Sequence, residues 1–213
     1  MIGELKGSAA FLQATPVVDW ARPEVVALAH RLSAGEPSEV DIARACFEWV
    51  RDNVLHTVDH GLHEVTCAAS EVLEAGTGFC YAKSHLLAAL LRANGIPAGF
   101  AYQRLALDEE GSAFCLHGLN AVWLAGYGWY RLDPRGNRGS IQARFDPPAE
   151  VLPFPCTNPG ERLFPLVFAQ PLPVVIDALR RHCTRQELEA HLPDALELDT
   201  APAPDGVVDL SRR

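Results

Sequence analysis

The sequence predicts an α+β fold in which N-terminal helices and one buried central helix pack on an antiparallel sheet. Three observations predict it. Apolar residues recur at helical spacing through the N-terminal part of the chain, and alternating β-prone runs joined by glycine-containing turns follow. Between the two lies Cys80–Asn94, where Leu86, Leu87, Leu90 and Leu91 leave little polar face to turn toward water. With 213 residues, 48% hydrophobic and 21% charged, the chain can bury one substantial core. The expected organisation is a single domain over residues 1–200, with its core at about 41–137, and a loose tail over 201–213.

Taken in order, Pro23 opens an apolar run through Val25, Val26, Leu28, Ala29 and Leu32 before Gly35, which suits proline in a first turn and glycine past the end. Ser38 with Asp41 three residues later resembles a capping box, and Ile42, Cys46, Trp49 and Val50 then mark one face of a helix to about Asn53. Residues His56–Ala69 show no clean period and read as a loop. Ser70 is the expected cap of a short helix through Leu73, and Gly76 and Gly78 break the chain before the central helix, which Gly95 and Pro97 close.

Ala98–Leu107 reads as a strand, Asp108–Gly111 as a turn and Phe114–Leu124 as a second strand. Gly126-Tyr127-Gly128 supplies a hairpin connection to a third, Trp129–Asp133. The proline-rich stretch Pro147–Pro173 is too interrupted for regular central strands and is expected to wrap the surface. Thr184 and Glu187 fit another capping box ahead of Leu188 and Leu192. Ala201–Arg213, with Pro202, Pro204 and Gly206, has the composition of a tail.

A formal net charge of -9 disfavours phosphate backbones and anionic lipid, so neither nucleic acid nor membrane is an expected partner. The residues after Met1 lack the basic stretch and apolar run of a secretory signal, and no later run reaches membrane-spanning length; the expected location is cytoplasmic. Six dispersed cysteines fit reduced thiols better than a disulfide framework.

One of those cysteines stands where chemistry is available. The lead-in Gly76-Thr77-Gly78-Phe79 places Cys80 in the first turn of the central helix, where unpaired N–H groups and the macrodipole favour a thiolate and can hold an oxyanion. A base would come from His117 on the second strand. The hairpin through Gly126–Gly128 returns the chain so that Asp133 can orient that imidazole. Read singly, each has a plainer alternative: an inert buried thiol, a structural histidine and an aspartate-proline turn.

Together these residues resemble a known family. Gly78-Phe79-Cys80 followed by Leu86-Leu87-Ala88-Ala89-Leu90-Leu91-Arg92-Ala93-Asn94-Gly95-Ile96-Pro97-Ala98 closely resembles the nucleophile helix of the transglutaminase-like superfamily. His117–Leu124 looks like its histidine strand, and Gly126–Pro134 looks like its hairpin ending in aspartate-proline. The resemblance, over about Asp41–Asn137, implies a small bacterial-type member with a papain-like cysteine-enzyme fold. It implies Cys80 as nucleophile, His117 as base and Asp133 as orienting carboxylate. A peptide, amide or ester substrate and a thioester acyl-enzyme follow from it, with no cofactor and with hydrolysis preferred to amine transfer.

The chain departs from the family pattern at Tyr81-Ala82-Lys83 and at Gly118-Leu119, where acidic or amide and aromatic residues are common, so specificity does not carry over. The related arylamine acetyltransferases lead into the cysteine with arginine-glycine-glycine, which Gly76–Phe79 lacks.

Further candidates surround this set. Gln103 offers a side-chain donor to an oxyanion. Arg135 and Asn137, with Arg138, can hold a substrate carboxylate, and His60 or His63 can contact substrate. His56, His60, His63 and Cys67 have the composition of a zinc site, although Gly61 interrupts them and no second cluster completes them; the expected metal is none. His85 lies off the face of Cys80 on the helix and reads as structural. Two alternatives to an enzyme stand beside this reading: a non-catalytic binding module that keeps the fold, and a zinc-binding protein using the His56–Cys67 cluster. Oligomeric state is not legible.

Overall fold

A computed structural model describes residues 9–108, 110–196, 198 and 206–212. Its first two helices are those the sequence predicts: α1 over Pro23–Ser33, with proline in the first turn, and α2 over Glu39–Asn53, where the Ser38 hydroxyl accepts the Asp41 N–H. The expected loop contains a short strand, β1 (Leu55–His56), paired in parallel with β2 (Thr77–Gly78). Between them, α3 spans Ala69–Ala75. Ser70 is not its cap, because Asp19 accepts both the backbone N–H and the hydroxyl of Ser70, while the Glu71 carboxylate accepts the N–H groups of Cys67 and Ala68.

Helix α4 (Cys80–Ala93) is buried from Cys80 through Arg92. It contacts α1, α2 and α3 along with strand β4 (Phe114–Leu124), which accounts for a sequence apolar on every side. Its two buried charges are satisfied by main-chain carbonyls. Arg92 donates to Gln13, Ala98 and Ala169, and Lys83 to Arg51 and Val54 at the end of α2.

The sheet is antiparallel. Strand β3 (Ala98–Ala106) pairs with β4 from Ala98↔Val122 to Ala106↔Phe114, and β4 pairs with β5 (Gly128–Leu132) across the predicted hairpin. Glu109, in the predicted turn, lies outside the described residues. Asn120 on β4 donates to the carbonyls of Ser84 and Gly99, tying the sheet to α4.

The proline-rich stretch contributes more than a surface wrap. A small hairpin, β6 (Arg144–Asp146) with β7 (Ala149–Val151), is followed by β8 (Arg162–Leu163) and β9 (Leu166–Phe168), both of which join β3. Leu166, Val167 and Phe168 are buried: the prolines fall between these short strands, leaving each free to pair. Helices α5 (Pro173–Arg181) and α6 (Arg185–Glu189) follow, α6 capped by Thr184 and Glu187 as expected.

Part of the segment expected as a loose tail is also in the sheet. The β-branched pair Val207-Val208 lies in β10 (Val207–Asp209), antiparallel to β9. Ala201–Asp205 lies outside the described residues. The resulting sheet order is β10-β9-β3-β4-β5, with β8 also on β3. No helix of the described residues is long and apolar enough to cross a membrane.

Candidate active site

Cys80 is the first residue of α4. The preceding Phe79 is extended and supplies no side-chain cap to the first-turn N–H groups. The parallel pairing of β1 with β2 fixes this entry two residues upstream. Tight packing holds it too: a Cβ at Gly78 would lie 3.0 Å from the Thr66 hydroxyl and 3.1 Å from the Ala82 methyl.

His117 and Asp133 meet as the hairpin register predicts. The imidazole Nε2 lies 2.6 Å from Asp133 Oδ2, and the other carboxylate oxygen accepts the Arg135 backbone N–H at 2.8 Å. Nδ1 is the ring nitrogen left for Cys80, whose sulfur also favours charge on the imidazole. Burial opposes charge on this imidazole, but the Asp133 carboxylate and the Cys80 sulfur outweigh it and push the His117 pKa up to about 10. An imidazolium at neutral pH is the partner that stabilises a thiolate. All three side chains are nearly enclosed, with Cys80 8%, His117 6% and Asp133 1% exposed.

The departure at Gly118 has a steric cause. A Cβ there would come within 2.7 Å of the Tyr81 ring, and Tyr81, fully buried, donates its hydroxyl to the Leu116 carbonyl. The aromatic residue therefore stands after the cysteine instead of after the histidine.

Several predicted substrate contacts are already engaged within the protein. Arg135 donates through Nη2 to Asp59 at 2.8 Å and forms an ion pair with the same carboxylate through Nη1, so its guanidinium ties the β1–α3 loop to the turn after Asp133. The Asn137 side chain is bonded to the backbone of Ala143 at both its oxygen and its nitrogen. Gln103, directly opposite His117 in the β3–β4 register, donates its amide N–H to the Phe154 carbonyl at 2.8 Å, so that donor is not available to an oxyanion.

His60 is exposed on the wall of a polar cavity of about 420 Å³ that His56, Asp59, Arg135 and Arg138 also line, beside the Asp133 turn. His63 is exposed, with its carbonyl taken by the Arg185 N–H. Among the described residues, no three His, Cys, Asp or Glu side chains come together as a metal-binding group. Cys67 is buried and its carbonyl accepts from His85 Nδ1 at 2.7 Å, a contact that gives His85 its structural place. Burial lowers the His85 pKa to about 4.

Two neighbours of the site were not evident from the sequence. Phe154, flanked by Pro153 and Pro155, sets its ring edge-on to His117 at 5.0 Å between centroids. Lys83, one turn after Cys80, has its pKa lowered to about 7 by burial, partly offset by Asp133. Proline-flanked aromatic and helix-buried lysine are both visible as patterns, but neither indicates which surface it meets.

No curated protein matches the chain. Among solved structures, the periplasmic domain of TgpA from Pseudomonas aeruginosa is similar at 21% identity and a TM-score of 0.48, over 62% of this chain and 47% of that one. Red sea bream transglutaminase is similar at 14% identity and a TM-score of 0.45, over 63% of this chain and 32% of that one. This chain thus spans less than half the length of either structure. Residues 26–134 match the sequence profile of the transglutaminase-like superfamily, whose members are typically cysteine enzymes. That match covers the cysteine, the histidine strand and the aspartate-proline turn, and the chain belongs to the transglutaminase-like superfamily.

Proposed function

We propose that the chain is a cysteine-dependent acyl-transfer enzyme of the amidase or peptidase type, working through Cys80, His117 and Asp133. The observation that carries the reading is the 2.6 Å His117–Asp133 contact, which leaves the other imidazole nitrogen for Cys80 at the start of α4. In this scheme the Cys80 thiolate attacks the carbonyl carbon of a peptide, amide or ester, and first-turn N–H groups of α4 stabilise the oxyanion. His117 gives its proton to the leaving amine or alcohol as the tetrahedral intermediate collapses to a thioester. Water, or an amine in a transferase, then attacks the thioester with His117 accepting its proton, and the thiolate returns.

Hydrolysis is preferred to amine transfer in this proposal. No cofactor enters the scheme. A cytoplasmic location is part of the proposal, and it fits the six free cysteines. The near-complete enclosure of Cys80 favours one alternative, a binding module that retains the fold without turnover.

Acylation of Cys80 by 4-nitrophenyl acetate, followed by intact mass and with Cys80→Ser and His117→Ala as controls, separates the two. The enzyme reading expects a Cys80-dependent acyl adduct that water clears. A thiol titrating at its ordinary value, unchanged in His117→Ala, and no adduct would sink it.

A further inference from the structure

The strand opposite His117 presents an amide with one half unused. Gln103 pairs directly with His117, so both side chains project from the same face of the sheet, and Gln103 is 1% exposed. Its Nε2 donates to the Phe154 carbonyl at 2.8 Å and lies 3.5 Å from the Cys156 sulfur. A carbonyl only accepts, so the amide nitrogen must face it and the orientation is fixed. Oε1 is then left buried without a partner. Neither Pro153 nor Pro155 has an N–H to offer it.

The segment that covers this amide also covers the imidazole. Phe154 stands edge-on to His117, with the Arg135 guanidinium 5.2 Å from its ring centroid. The two prolines keep the segment from pairing with β3 as a strand. Its next anchor is Glu161, whose carboxylate accepts the N–H groups of Thr157 and Asn158. A short stretch thus lies on the site through the Gln103 amide, which reaches the Phe154 carbonyl and the Cys156 sulfur, and through the Phe154 ring, and it leaves a buried acceptor unpaired, which destabilises the covered state.

The geometry points to Pro153–Cys156 as a displaceable lid on the Cys80–His117 pair, latched by Gln103. It assigns Gln103 the peptide group of an amide substrate once the lid lifts. A substrate amide offers both an acceptor and a donor, whereas the lid offers only the acceptor. The scissile nitrogen must sit beside His117 to receive its proton, and therefore beside Gln103, where Oε1 accepts its N–H; an ester has none. This role rests on the acyl-transfer reading, whereas the lid does not.

The test compares wild type, Gln103→Met and Phe154→Ala. Alkylation by iodoacetamide is followed at Cys80, with buried Cys46 and Cys67 as reporters of unfolding, and single-turnover acylation is measured with 4-nitrophenyl acetate and 4-nitroacetanilide. Both variants are expected to label Cys80 about threefold faster or more. Gln103→Met is expected to lower the anilide-to-ester rate ratio by about tenfold, while Phe154→Ala raises both rates.

Cys80 labelling within about twofold of wild type in both variants, or in step with Cys46 and Cys67, would overturn the lid. An unchanged ratio with active ester turnover overturns the role of Gln103 and leaves acyl transfer intact. Acylation by neither compound in Phe154→Ala, with Cys80 labelling raised, overturns acyl transfer and the Gln103 role with it.

Discussion

Lys83→Met is expected to make stability fall more steeply with pH than in wild type, because two buried bases near Asp133 have opposite linkage and the variant removes the one whose contribution rises. His117 is raised from 6.5 to about 10: burial works against the charge, but Asp133 and Cys80 outweigh it. Lys83 is lowered from 10.5 to about 7, chiefly by burial. Above 6.5 the unfolded chain has released the histidine proton that the folded protein keeps. That contribution is full below 6.5 and is lost as pH rises toward about 10. Above about 7 the folded protein has released the lysine proton that the unfolded chain keeps, so stability rises with pH up to 10.5.

Each slope is about 1.4 kcal/mol per pH unit, so between about pH 7 and about pH 8.5 Lys83→Met should lose about 2 kcal/mol relative to wild type, because the variant lacks the rising lysine contribution whatever the other groups do. The window lies below the ordinary thiol value of 9.0, and burial raises Cys46, Cys67 and Cys115 further, keeping them out of it. Urea unfolding followed through the four tryptophans measures this directly. A Lys83→Met protein with the same pH slope as wild type would refute the claim that folding releases the lysine proton.

Three further substitutions test separate parts of the structure. Gly118→Ala should destabilise the fold by about 1–3 kcal/mol and slow Cys80 alkylation, since Tyr81 has no room to yield; urea midpoints would show it, and Tyr81→Phe, which frees the ring from Leu116, should recover part of the loss. Asp133→Asn should lower the Cys80 alkylation rate at about pH 6 on the order of 10–100-fold, because His117 loses the charge that holds its proton; an unaltered pH profile would contradict the pairing. Arg92→Met should cost about 3–5 kcal/mol by leaving the carbonyls of Gln13, Ala98 and Ala169 without their shared donor, with thermal unfolding as the readout.

Much of this architecture is legible in the sequence where a local signal and its tertiary use coincide. Ser38 with Asp41, Pro23 at a first turn, the unbroken apolar α4 and the Gly126–Gly128 hairpin are such cases, and the register of that hairpin brings His117 to Asp133. Short strands are harder. Leu166–Phe168 and Val207–Asp209 span three residues each, too few for alternation to show, and they exist because β3 and β9 offer free edges. Donor and acceptor assignment is also invisible from one chain. Arg135 and Gln103 have the right chemistry for a ligand, but Asp59 and the Phe154 carbonyl, far away in sequence, reach them first.

The strand at one edge of the sheet, Val207–Asp209, pairs with β9, which in turn pairs with β3 more than sixty positions earlier. During synthesis the β3–β4–β5 hairpins can form as soon as they are made, because their partners are close along the chain. The β9–β10 pair must wait for the whole intervening length, and until residues 207–209 emerge the apolar Leu166–Phe168 edge has an unpaired backbone. The step most exposed to intermolecular strand addition on the ribosome is therefore the closing of this edge, well away from the cysteine.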